Sequence, residues 1–268
     1  MPSVTVPAPA PASTAPPLAS QVVLVTGAGR GVGAALTRAF HREGARVVLN
    51  YFRSRSEAKA LAAELGERVL PWQADVRAAD QVQGMVDAAR SHFGDPVTTV
   101  VSNALVDYRF DPVGRAAPDT LTWDHYQAQL EGSVQAAFHL VQATRHGMQE
   151  AGGGGFIAIG SNLVQNPVVP YHDYTTGKAA LLGFVRNMAA ELGPTGIRVN
   201  MVSGGLLDRT DASAATSDEV FDLIRQSTPL RRVVTPAEFA DAVLLLASPW
   251  SRAITGQNLI VDGGLVMG

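Results

Sequence analysis

The sequence predicts one α/β domain built on an open, doubly wound parallel sheet. Short apolar, β-branched runs recur along the chain, and most of the intervals between them have helical spacing. Strands that read as unbroken apolar runs are buried on both faces, as in a parallel sheet covered by helices on each side. Strand and helix alternate throughout, the pattern of βαβ units. A glycine-rich turn joins the first strand to the first helix. Such turns let backbone approach a phosphate closely.

Residues 1–20 are rich in Pro and Ala and hold no charged side chain. Proline fixes φ and removes donors, so this stretch is expected to be a disordered tail, with the domain running over 21–268. It lacks the basic residues and unbroken apolar stretch of a signal peptide. In the 268-residue chain 46% of residues are apolar, enough for a full core, and the net charge of −3 gives no general pull toward nucleic acid or anionic membrane. There is no cysteine, which excludes disulfides and thiolate metal sites. The histidines show no ligand spacing, and no metal is assigned.

Val22-Val23-Leu24-Val25 reads as the first strand and runs into Thr26-Gly27-Ala28-Gly29-Arg30-Gly31-Val32-Gly33, followed by a helical segment. Strand, glycine turn and helix form a dinucleotide site: the backbone approaches the pyrophosphate while the helix N-terminus supplies amides and partial positive charge. The second strand spans 46–50. An acidic residue at its end would accept hydrogen bonds from a ribose 2′-hydroxyl, but Tyr51 stands there, with Arg53 close behind and Arg30 in the glycine turn. Two guanidiniums beside the adenosine ribose favour a 2′-phosphate, hence NADP. A helix over 56–65 leads to a third strand over 69–73, which ends in Ala74-Asp75-Val76, where the carboxylate could take the adenine amino group. Another helix (79–93) and a strand over 98–101 follow, ending in Ser102-Asn103-Ala104-Leu105 at a carboxyl end where ligands sit.

Residues 119–149 read as one long helix, and the glycines at 152–155 as a flexible connector to the strand Phe156-Ile157-Ala158-Ile159. Ser161 stands at that strand's mouth. Thirteen residues on, Tyr174 and Lys178 lie four apart at the head of a helix, so they share one face. A cation beside a phenol lowers its pKa, which suits general acid–base work, and the Ser161 hydroxyl could hold the oxygen that Tyr174 protonates. His172 could contact substrate or be an ordinary loop histidine. After a strand over 199–202, the stretch from Gly204 to Pro229 looks like a movable lid whose Leu206, Leu207 and Phe221 could cover an apolar substrate opposite Val168 and Val169. A helix (237–247) and the last strand (259–261) complete the chain, and the apolar Leu265-Val266-Met267 suits a subunit contact.

These residues resemble the short-chain dehydrogenase/reductase family over about residues 20–268. The likeness rests on the Thr26–Gly33 loop, Asp75 before Val76, Asn103-Ala104, Ser161 with the Tyr174–Lys178 pair, Ile197-Arg198-Val199-Asn200, and Thr255-Gly256-Gln257 with Val261-Asp262-Gly263-Gly264. The resemblance implies a Rossmann-type domain, a nicotinamide cofactor and usually a homodimer or homotetramer, and a cytoplasmic location is expected. It implies that Tyr174 is the acid–base, that Lys178 lowers its pKa and binds the nicotinamide ribose, and that Ser161 polarises the substrate oxygen. It sets Gly204 and Leu206 beside the nicotinamide. Among the subgroups the chain looks most like NADP-dependent 3-oxoacyl-carrier-protein reductases, a looser match than that to the family. Three positions depart from the pattern: Leu105 for a glycine, Ser203 for a proline, and Ser133 where an asparagine carbonyl would hold a relay water, with Gln129 the competing candidate. The function expected is NADP(H)-dependent interconversion of a small-molecule ketone and a secondary alcohol, with acyl thioesters, steroids, sugars and xenobiotic ketones all open as substrates. The departures leave a second expectation, a cofactor-binding protein of low catalytic competence with a sensing or scaffold role.

Overall fold

The computed structural model describes residues 16–105, 108, 110–208 and 210–267. Seven strands form one parallel sheet: β1 (Val22–Val25), β2 (Arg46–Tyr51), β3 (Val69–Gln73), β4 (Thr99–Ser102), β5 (Gly154–Ser161), β6 (Ile197–Gly204) and β7 (Asn258–Val261). Their order is β3-β2-β1-β4-β5-β6-β7. The chain therefore winds outward in one direction from β1, then returns to start β4 on its other side. That reversal opens a crevice at the carboxyl ends of β1 and β4, the usual ligand position in such sheets. The Rossmann-type, single-domain α/β expectation is met.

Eight helices flank the sheet among the described residues: α1 (Gly31–Arg42), α2 (Arg55–Leu65), α3 (Ala79–Phe93), α4 (Trp123–Leu130), α5 (Ala136–Glu150), α6 (His172–Leu192), α7 (Asp218–Ser227) and α8 (Pro236–Ala247). Two apolar cores lie on opposite faces of the sheet. One joins Leu24 of β1 and Phe156 of β5 to α3, α5 and α6 through residues such as Met85, Leu140 and Leu181. The other gathers Leu36 and Phe40 of α1 with Phe239 and Leu246 of α8. Central strands are apolar on both faces because both are covered.

Several boundaries differ from the sequence reading. Order begins before residue 21: Leu18–Ser20 form a 3₁₀ turn, and the Gln21 amide reaches the Pro16 carbonyl at 2.8 Å. Residues 1–15 lie outside the described part. Gly154 and Gly155 belong to β5 rather than to a connector. A Cβ at Gly154 would come within 2.6 Å of the Met148 side chain, so the strand can pack there only without one. The single long helix is divided: it starts at Trp123, and Glu131–Gln135 forms a π turn between α4 and α5. Ser133 explains the widening locally, because its hydroxyl donates to the Gln129 carbonyl at 2.5 Å, a back-bond that bends helices. His172 is the first residue of α6, not part of the preceding loop. Phe221 is buried within the protein, while its helix neighbours Val220 and Ile224 face the crevice. Leu265 also lines the crevice, whereas Met267 is 80% exposed.

Candidate active site

A cavity of about 1090 Å³ occupies the crevice at the carboxyl ends of the strands. At one end the glycine turn enters α1. Gly27, Arg30, Gly31, Val32 and Gly33 line the cavity. A Cβ on Gly33 would lie 2.1 Å from the Gly27 carbonyl, so the turn can fold onto its helix only with glycine there. The first residues of α1 thereby line the cavity, and a helix N-terminus there suits a phosphate. Thr26 and Gly29 do not line the cavity. Thr26 is fully buried, and its hydroxyl accepts the amides of Asn103 and Ala104, each at 2.9 Å. Gly29 faces Ser54. Both shape the turn from behind.

Tyr51 is the clear correction. Its ring is 4% exposed and packs in the core with Ala58 and Leu61 of α2. Strand β2 runs one residue longer than the apolar pattern indicates, which turns Tyr51 inward and presents Phe52, Arg53 and Ser54 to the cavity. The Arg53 guanidinium lies over the Phe52 ring at 5.6 Å, and Arg30 lines the same end. Asp75 and Val76 are also at this end. Both Asp75 oxygens are held by Arg77, at 2.7 Å for the shortest contact, and these hydrogen bonds keep its carboxyl below the usual range. Asn103 and Ala104 line the cavity as expected, and so does Leu105, 38% exposed. The Asn103 amide donates to the Thr26 carbonyl at 2.8 Å, fixing β4 to the glycine turn.

Asn50 was not anticipated. Buried at the end of β2, its side chain donates to the Ala74 carbonyl at 3.0 Å and accepts the Gly27 amide at 3.3 Å. One polar residue thus joins three strand ends beneath the cavity. A lone Asn ending an apolar run was the signal available in the sequence.

At the other end Ser161, Tyr174 and Lys178 converge. Ser161 closes β5, and α6 lies across that strand so that Tyr174 and Lys178 on its first two turns face it. The neighbouring Ser161 hydroxyl favours the phenolate, but burial is the larger effect and pushes Tyr174 up to about 12. Lys178 is equally enclosed, and burial pulls it down to about 8. Its ammonium donates to the Ile159 carbonyl at 2.7 Å and lies 5.7 Å from the Tyr174 ring centroid. The expected lowering of the Tyr174 pKa by Lys178 is therefore not what this geometry gives: desolvation dominates both groups.

Gly204, Leu206, Leu207, Val168 and Val169 also line the cavity, and His172 does not. Ser203 lies in β6 and donates to the Asn258 side chain of β7 at 2.7 Å, so a strand-to-strand bond stands where a stiff residue was expected. Ser133 is not brought to the cavity. Besides its back-bond to Gln129, its hydroxyl donates to the Gly177 carbonyl at 3.3 Å, tying the π turn to α6. Gln129 is buried at the same contact.

A family model described as enoyl-(acyl carrier protein) reductase matches residues 27–266. The chain belongs to the short-chain dehydrogenase/reductase family. Among similar proteins is the 3-alpha-(or 20-beta)-hydroxysteroid dehydrogenase of Mycobacterium bovis, 35% identical, with 94% of this chain and 91% of that one covered. A blue fluorescent protein from a metagenomic library, solved with NADPH, is 33% identical with a TM-score of 0.82, covering 94% of this chain and 100% of the other. A 7α-hydroxysteroid dehydrogenase solved with NADH and 7-oxo glycochenodeoxycholic acid is 30% identical with a TM-score of 0.82, covering 91% and 94%. Within this dehydrogenase/reductase family, the chain carries Leu105, Ser133 and Ser203 on an intact sheet and an enclosed Ser–Tyr–Lys cluster.

Proposed function

We propose that this chain is an NADP(H)-dependent oxidoreductase that interconverts a ketone and a secondary alcohol. The convergence of Ser161, Tyr174 and Lys178 on a cavity whose far end is the glycine turn carries this reading. The α1 amides and Gly33 suit a pyrophosphate, and Arg30 and Arg53 suit a ribose 2′-phosphate. Asp75, Val76, Asn103, Ala104, Gly204 and Leu206 would line the rest of the cofactor. A nicotinamide dinucleotide held there would supply or accept the hydride.

The chain's own groups handle the proton. Ser161 holds the substrate oxygen, and Tyr174 donates its phenolic proton to that oxygen during reduction and recovers it during oxidation. A phenol that titrates near 12 is a firm proton holder, so the phenolate is formed only as the substrate oxygen takes the proton. Lys178, close to the ring, stabilises that charge and holds the nicotinamide ribose. Ser133 lies behind α6, and its backbone is proposed as part of the path by which the proton is replaced. A cytoplasmic homodimer or homotetramer completes the proposal. Relatives solved with NADPH and with NADH both exist, so the preference rests on the two arginines and the absence of a carboxylate after β2.

A second reading is favoured by one observation, the Lys178 ammonium bonded to Ile159 rather than aimed at the phenol. On that reading the chain binds the dinucleotide and turns over little, in a sensing or scaffold role. The deciding experiment measures dissociation constants for NADPH and NADH, then NADPH oxidation with a ketone panel and identification of the alcohol. Tight NADPH binding with no alcohol formed would favour the second reading. Within the ketone class, the looser family likeness would make 3-oxoacyl thioesters candidates.

A further inference from the structure

The substrate end of the cavity is walled by aromatic rings that touch one another. Tyr108 stacks on Tyr174 with centroids 5.0 Å apart and planes 26° from parallel. Phe110 meets the same Tyr174 ring edge-on at 4.9 Å. Tyr171 meets Tyr108 and Phe110 edge-on at 5.9 and 5.5 Å. All four line the cavity, in a chain whose aromatic content is only 6%, so this is a local concentration and not a background level. The ring faces and edges left toward the cavity match another flat ring by quadrupole geometry.

Several polar groups at this end are already committed. The Asn162 amide donates to Asp262 at 2.9 Å, the Thr210 and Ser213 hydroxyls lie 3.1 Å apart, and the Tyr108 hydroxyl donates to Asp173 at 3.4 Å. Burial first, and Asp173 second, hold the Tyr108 phenol well above its ordinary range, so it stays neutral with its proton toward Asp173. Leu163, Val168, Val169 and Leu206 add apolar surface to the lining. A polyol would bring several hydroxyls that lose water and find few partners here, which is costly. A linear acyl chain would gain buried area but no ring contact.

We propose that this aromatic wall makes the chain selective for aryl ketones and their benzylic alcohols, with Phe110 a specificity-determining residue; this rests on the oxidoreductase reading above. A carbonyl held by Ser161 and Tyr174 places a ring attached to it beside the Tyr108 and Phe110 rings, which already contact Tyr174.

The test compares kcat/KM with NADPH for 1-tetralone, cyclohexyl methyl ketone, fructose and a short 3-oxoacyl thioester, in the wild type and in Phe110→Leu. Leucine keeps apolar volume and removes the ring. An aromatic pair contributes about 2–10-fold beyond area. The expected result is 1-tetralone as the best substrate, with the ratio of 1-tetralone to cyclohexyl methyl ketone about 3–10-fold lower in the variant. Fructose or the thioester ranking first, or an unchanged ratio, overturns the wall. Absence of NADPH oxidation with every ketone overturns the oxidoreductase reading instead. In that event calorimetry of 2-naphthol on the NADPH-loaded protein decides the wall. Binding weakened in Phe110→Leu supports it, and no binding, or equal binding, overturns it.

Discussion

Replacing Lys178 with methionine should stabilise the protein while removing its activity. The ammonium is enclosed at the foot of the cavity, and burial depresses its pKa from 10.5 to about 8. At about 1.4 kcal/mol per unit, that depression corresponds to roughly 3 kcal/mol of destabilisation of the charged form. Methionine preserves most of the side-chain length but leaves the Ile159 carbonyl without the 2.7 Å bond it now accepts, a loss of about 1–2 kcal/mol. The net expectation is a gain of about 1–2 kcal/mol at pH 7, or a Tm rise of roughly 3–6 °C for a chain of this size. The pH dependence carries a sign. Between about 8 and 10.5 the native lysine has released its proton while the unfolded one still holds it. Wild-type stability therefore gains from this group as pH rises through that window, and the variant has no such gain. Its advantage should shrink steadily between pH 7.5 and 9.5. Below pH 10 the buried Tyr174 phenol, pushed up to about 12, stays protonated folded and unfolded and does not interfere. Urea unfolding of both proteins across that range is the assay. A Lys178→Met protein less stable than wild type at pH 7, or an advantage that does not change with pH, would refute the argument from burial.

Three further outcomes follow from the same geometry. Arg53→Ala and Arg30→Ala should each weaken NADPH binding about 10-fold or more while changing NADH little, because a charge-assisted bond contributes about 1.5–3 kcal/mol; calorimetry with both cofactors at one ionic strength decides it. Asp262→Ala should cost about 2–4 kcal/mol in urea unfolding, since it strips partners from the Asn162 amide and from the Gly264 and Val266 amides, each bonded at 2.9–3.0 Å. Ser133→Ala should leave kcat within about twofold across pH, because its hydroxyl serves the Gln129 and Gly177 carbonyls outside the cavity and a backbone relay is indifferent to the side chain. A displaced pH profile would show that the hydroxyl itself takes part.

The sheet was legible because β1 and its neighbours are buried on both faces, so Val22–Val25 could be read directly as a strand. The site was legible where it depends on local spacing, as for Tyr174 and Lys178 on one helix face. What escaped the sequence depends on distant contacts or on phase. Strand β2 continues one residue beyond its apolar run, and that residue exchanges Tyr51 for Phe52 at the cavity. Phe221 and Ile224 lie on one amphipathic helix, and only packing decides which of them faces inward. Tyr108 stacks on a tyrosine in a distant helix and Phe110 meets it edge-on, a meeting no short window of sequence displays. The direction of the Tyr174 pKa was misjudged because charge proximity can be read from spacing, whereas desolvation depends on everything that encloses the pair.

The central claim is that Tyr174 exchanges the proton while a bound nicotinamide exchanges the hydride. Initial rates of NADPH oxidation with a reducible ketone, measured beside NADPH affinity for wild type and Tyr174→Phe, test it most directly. The expected result is a fall in kcat of about 10²–10⁴-fold with NADPH affinity and fold unchanged. Near-normal turnover in Tyr174→Phe would contradict it.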